Sequence, residues 1–131
     1  MTALLDTHLL LWAAGLPDRL PAEVREFLND PATESAYSAA SLWEVAIKSG
    51  LGRPDFLVDA RLLRRRLLEN GYSELPVTGA HAVAVDLLPE IHKDPFDRML
   101  VAQAQVEGIT LWTMDDVVGQ YPGPIRVVNQ R

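Results

Sequence analysis

The chain has 131 residues, 48% of them apolar and 23% charged, proportions that suit one globular domain over residues 1–131 with a sizeable core. It has no cysteine, which excludes disulfides and thiolate metal sites and permits a reducing compartment. Its formal net charge of −6 is the wrong sign for gripping nucleic acid by bulk attraction, although a local basic cluster or bound cations would change that, and it suits a basic partner.

No charged-then-apolar leader opens the chain and no apolar run approaches the ~20 residues of a membrane span, so a cytoplasmic protein without membrane contact is expected. Ala3-Leu4-Leu5 reads as a short buried strand that ends in an acid, Asp6, and leads into a helical run from His8 to Ala14. An acid at that point lies at the carboxyl edge of a sheet, where open α/β proteins keep their ligands. Gly15 to Pro21 is a turn and Pro21 to Asp30 a helix. Ser35 to Ser38 is a second strand, after which Ser38 or Ser41 caps a helix carrying Leu42 to Lys48. Within that helix Glu44 is flanked by apolar residues, and a carboxylate near a packed face needs a partner. Lys48, four residues on in the favourable order, supplies one; such a pair is compatible with a metal role for Glu44.

Gly50 to Pro54 is expected to be a loop, with Gly50 as the helix C-cap. Val58 to Asn70 is a helix with Leu62, Leu63, Leu67 and Leu68 on one side. Its Arg61, Arg64, Arg65 and Arg66 form a basic patch that reads either as a solvated face or as a phosphate contact. Gly71 closes it, Leu75 to Val77 is extended, and Thr78 caps a helix from Ala80 to about Leu87, in which His81 is a packing or surface residue. After a loop from Pro89 to Lys93 comes the most informative stretch. Asp94 is a good N-cap, Pro95 suits the first helical position, and Asp97 stands where a capping-box acid sits. Phe96, Met99, Leu100 and Ala104 trace an apolar stripe at helical spacing. Taken alone, Asp97 serves the helix dipole. This helix stops at Gly108. Ile109 to Trp112 is a strand ending in Thr113, Met114, Asp115 and Asp116. A brief helical turn, a turn over Tyr121 to Pro124, and a last strand from Ile125 to Val128 complete the chain. Strands alternating with helices argue a mainly parallel sheet with helices on both faces.

Asp6 and Asp115 directly follow apolar strands, while Glu44 and Asp97 are expected in the opening turns of helices. Right-handed crossovers bring strand exits and helix starts to one sheet edge. Carboxylates gathered there repel one another and raise one another's pKa. A hard divalent cation relieves this, and all-oxygen ligands select Mg²⁺ or Mn²⁺. Such a site suits phosphodiester hydrolysis, with one or two metals.

The segments Leu4-Leu5-Asp6-Thr7-His8, Ser41 to Lys48, Asp94-Pro95-Phe96-Asp97-Arg98 and Thr113-Met114-Asp115 resemble the motifs of the PIN-domain family, and together the VapC-type toxin ribonucleases of bacterial toxin–antitoxin pairs. The resemblance spans essentially the whole chain, and the Asp-Pro-Phe-Asp-Arg form is that of one subgroup. It implies a three-layer α/β/α fold and a metal-dependent endoribonuclease in which Asp6, Glu44, Asp97 and Asp115 bind Mg²⁺ or Mn²⁺. Thr7 and Thr113 match small polar positions beside those acids. Lys48, His92 and Arg98 belong to the subgroup's pattern, with contact to substrate phosphate or antitoxin, or support of the acids, both open to them. Arg64, Arg65 and Arg66 are the candidates for RNA contact. Asp94 is read as a cap, and the Thr-x-Asp spacing favours Asp115 over Asp116. The resemblance also implies a homodimer silenced by a cognate VapB-like antitoxin.

Two other classes compete. A catalytically inactive PIN-like module would act through protein contacts alone. A two-component receiver domain is also a small parallel α/β fold binding Mg²⁺, but it wants adjacent acids after its first strand and a lysine after a late one. This chain has Asp6-Thr7 and Thr113-Met114-Asp115 there instead.

Overall fold

In a computed structural model, which describes residues 1–52 and 58–129, five parallel strands form one sheet. They are β1 (Thr2–Leu5), β2 (Glu34–Ser38), β3 (Ser73–Leu75), β4 (Thr110–Thr113) and β5 (Ile125–Val127), in the order β3-β2-β1-β4-β5. β1 is central, aligning Ala3 with Ser35 on one side and with Thr110 on the other. The connections leave β1 towards β2 and β3, then return to β4 and β5. Between β1 and β4, therefore, lies the switch point where open α/β sheets hold ligands.

Among the described residues six α-helices cover the sheet: α1 (Thr7–Gly15), α2 (Ala22–Asn29), α3 (Ala39–Gly50), α4 (Ala60–Glu69), α5 (Gly79–Ala84) and α6 (Pro95–Glu107). Alternation along β1 sorts the core into two layers. Ala3 and Leu5 pack with Leu9, Leu10, Val24, Val45, Leu63 and Leu67, whereas Leu4 packs with Leu88, Leu100, Val101 and Ala104. This is the expected three-layer α/β/α arrangement.

Local chemistry moves several boundaries. Ser38, not Ser41, caps α3 by accepting from the Ala40 N–H at 3.0 Å, so Glu44 falls in the second turn instead of the first. α3 also runs through Gly50 to a C-cap at Leu51, and the left-handed residue is Gly52, with φ 69°. The remainder of the expected loop, Arg53 and Pro54, lies outside the described residues. α4 begins at Ala60, not Val58, because the Asp59 carboxylate captures the Arg61 and Leu62 amides. The helix expected to reach Leu87 tightens to a 3₁₀ turn after Ala84. His81 is fully buried in it, with Nδ1 accepting from the Thr78 N–H and Nε2 2.8 Å from Glu107.

Candidate active site

Asp6 is where the strand edge and the helix start meet. Its backbone N–H continues the sheet by donating to the Trp112 carbonyl at 3.0 Å. Its side chain caps α1: Oδ1 accepts from the Leu9 N–H at 2.8 Å and Oδ2 from the Thr113 hydroxyl at 2.6 Å. Burial pushes this carboxyl above its ordinary range, while those two donors pull it down. The Thr113 oxygen in turn accepts from the Asp115 N–H at 3.1 Å, so one hydroxyl aligns two of the acids.

Glu44 is buried, and each of its oxygens accepts one hydrogen bond. The Thr7 hydroxyl donates to its Oε1 at 2.8 Å, and the Lys48 ammonium to its Oε2 at 2.6 Å. A hydroxyl has only one proton to give, so the 2.9 Å contact between Thr7 and Ser41 is a donation from Ser41 to Thr7. The expected Glu44–Lys48 pair is thus present. Ser41 was not among the expected site residues, although its place one turn before Glu44 puts it on the same helix face.

Asp94 caps α6, accepting from the Phe96 and Asp97 amides at 2.8 and 3.2 Å. The reciprocal half of a capping box is missing, because the Asp94 N–H donates to His92 Nδ1 at 3.3 Å. Asp97 is thereby free of capping. Since Nδ1 accepts, the His92 proton sits on Nε2, which lies 3.2 Å from Asp97 Oδ2 and 3.4 Å from Asp115 Oδ2. Burial, then the nearby Asp94, Asp6 and Glu44 charges, push the Asp97 carboxyl up to about 7 against the opposing pull of His92. Ligand atoms of His92, Asp97 and Asp115 fall within 4.8 Å of one another, close enough to share an ion. All four expected acids line one cavity of about 1010 Å³, with Asp94, Thr7 and Lys48 also on its wall.

A family model described as PIN domain matches residues 3–123. The chain belongs to the PIN-domain family. In the crystal structure of VapBC2 from Rickettsia felis bound to a DNA fragment from their promoter, one chain superposes with a TM-score of 0.71 at 14% identity, covering 97% of this chain and 98% of that one. A domain of a functionally unknown protein from Methanocaldococcus jannaschii gives 0.59 at 14% identity, covering 98% and 91%. No curated protein matches in sequence. At these identities the likeness carries the fold.

The remaining candidates of this PIN domain are placed differently. Arg98 turns away from the acids, donating to the Pro89 and Val85 carbonyls and to the Tyr121 hydroxyl at 3.0–3.1 Å. That hydroxyl also accepts from the His92 N–H at 2.8 Å, so Arg98 and Tyr121 together fix the loop that carries His92. Tyr121 had no local signal; it stands 29 residues from its partner. Arg64 forms a bidentate pair with Glu74, at 2.7 and 3.2 Å, holding that carboxyl below its usual range. Arg65 is exposed, and Arg66 borders the cavity. Asp116 is exposed at the turn.

The carboxylates of Asp6, Glu44, Asp97 and Asp115 are the oxygen donors that a hard divalent cation takes, and His92 could join them only by giving up its Nε2 proton. The raised Asp97 carboxyl reflects burial first and the charges of Asp94, Asp6 and Glu44 second, with His92 compensating only in part. Among the described residues no helix is long and apolar enough to cross a membrane.

Proposed function

We propose that this PIN domain is a Mg²⁺- or Mn²⁺-dependent endoribonuclease, the VapC-type toxin of a toxin–antitoxin pair. The observation that carries the reading is the convergence of Asp6, Glu44, Asp97 and Asp115 on one cavity at the switch point of the sheet. Bound there, a hard divalent cation supplies the charge neutralisation and Lewis acidity that phosphodiester hydrolysis needs. The four carboxylates would hold it. The chain's own contribution is preorganisation: Thr113 orients Asp6, Thr7 and Lys48 orient Glu44, and the His92 Nε2–H draws Asp97 and Asp115 together. A carboxylate oxygen that has accepted one hydrogen bond keeps a lone pair for a metal, so these contacts are compatible with ligation. Arg98 acts at one remove, through the loop carrying His92.

The VapBC2 likeness supports a VapB-like antitoxin as partner, and a chain of net charge −6 suits a basic residue on its docking segment. A cytoplasmic homodimer belongs to the same reading. The intact acid set, with each acid held by specific contacts, disfavours an inactive module.

The test is incubation of total cellular RNA with purified, antitoxin-free protein, with Mg²⁺, with Mn²⁺ and with EDTA, beside Asp6→Asn and Asp97→Asn. Discrete fragments that require metal and vanish in both folded variants are expected. Unchanged cleavage by either variant would sink the site, and no cleavage by folded wild type would sink the activity.

A further inference from the structure

The cavity that holds the acids continues well past them. It follows α1 from Asp6 at the cap, beside His8, Leu11 and Trp12, past Ala14 in the last turn to Gly15 and Leu16. Leu62 and Arg66 of α4 line the same space. Arg66 and Ala14 also border a second hollow of about 500 Å³, which puts Arg66 at the end remote from the acids. At 1.5 Å per residue, Asp6 and Ala14 are ~12 Å apart along the helix. The two ends differ in charge. Lys48 is engaged by Glu44 and Arg64 by Glu74, but among the described residues no carboxylate lies within ion-pair distance of Arg66. Between the ends the surface is mostly apolar and aromatic, with His8 and Trp12 edge to face at 4.6 Å, and its one acid, Asp59, is engaged by the Arg61 and Leu62 amides at the start of α4.

We propose that this groove is a track for single-stranded RNA: one phosphodiester over the acids, a base against Trp12 and Leu62, and a further phosphate on Arg66. The proposal rests on the nuclease reading and adds to it the path of the strand. The acids stand at the cap of α1 and Arg66 borders the cavity near its last turn, so an occupant lying along the whole groove is a chain of phosphates and not a single one. A wholly basic peptide would be repelled at Arg66 and, once a cation covers the acids, at that end too, which makes a nucleic-acid strand the better match along the whole groove. The guanidinium fork pairs with phosphate oxygens, and an indole face accepts any base.

The experiment measures binding of a labelled single-stranded oligouridylate across a salt series, in protein carrying Asp97→Asn so that the strand stays uncut. Circular dichroism checks that each variant is folded. Arg66→Ala is expected to weaken binding about tenfold and to lower the slope of log K against log salt by about 0.7, the amount for one single-strand phosphate. Arg66→Lys should keep the slope and recover part of the affinity, while Arg65→Ala should lose less than Arg66→Ala. Trp12→Leu should weaken binding about tenfold with the slope unchanged, since stacking is not ionic. Equal losses for Arg65→Ala and Arg66→Ala would reduce the track to bulk charge and overturn the proposal. So would unaltered RNA binding in Arg66→Ala and Trp12→Leu, or tighter binding of an arginine-rich peptide by Arg66→Ala with RNA binding unaltered. Failure of the unsubstituted protein to cut RNA, with these binding losses intact, would count against the nuclease reading and leave the track standing.

Discussion

Asp97 makes the sharpest prediction, because it couples the site to the stability of the fold. Its carboxyl titrates at about 7 in the folded chain against 3.8 as the ordinary value. The folded state therefore holds a proton that the unfolded chain has released, and stability falls as pH rises from about 4 towards 7. Three pKa units at 1.36 kcal/mol each set a ceiling of about 4 kcal/mol. A quarter of the side chain faces solvent, and screening trims the expected loss to ~2–3 kcal/mol. Urea denaturation in EDTA at pH 5 and pH 8 measures it, with Asp97→Asn as the reference that cannot ionise. Glu74, lowered by Arg64, titrates in both proteins and cancels in the difference, whereas Asp6, whose charge helps raise Asp97, stays coupled to it. Wild type should already trail the variant by ~1 kcal/mol at pH 5, where the unfolded carboxyl has ionised, and by ~2–3 kcal/mol at pH 8, and millimolar Mg²⁺ should close the gap in wild type by binding the folded state. Parallel pH profiles for the two proteins would refute the picture of an acid strained by burial and by its neighbours.

Thr113→Val removes the hydroxyl between Asp6 and Asp115; leaving a buried carboxylate short of a donor should cost about 2–3 kcal/mol at pH 7, read by urea denaturation, with a loss of metal affinity read by calorimetry. Lys48→Met should destabilise by about 1–2 kcal/mol, less than for a sealed ion pair because Lys48 is half-exposed; adding Thr7→Val should cost more than the sum of the two singles, since both donors serve Glu44. Tyr121→Phe should cost about 1–2 kcal/mol and shift the His92 imidazole signals in NMR spectra, because its hydroxyl holds the His92 amide and Arg98. An unshifted His92 spectrum would detach Tyr121 from the site.

What could be read from the sequence was what is chemically local. Asp94-Pro95 starts α6 by itself, Gly108 ends it in the left-handed conformation with φ 67°, and an acid after an apolar run marks a strand exit. Boundaries slipped where two residues competed for one task, as Ser38 did with Ser41 and Gly50 with Gly52. The contacts that organise the site were out of reach because they are long-range. Thr113 reaches Asp6 across 107 positions, and Thr7 reaches Glu44 across 37. Asp97 was legible as a helix-start acid and illegible as a free one, because its release depends on a histidine five residues upstream taking the Asp94 amide.

That release separates two kinds of acid under mutation. Asp6 is both a strand stop and a helix cap, so a descendant that had lost all chemistry would still be held to it by folding alone. Asp97 caps nothing and strains the metal-free fold, and drift in an idle lineage would discard it first. The residue most telling of a working site is therefore the one the fold would be better off without.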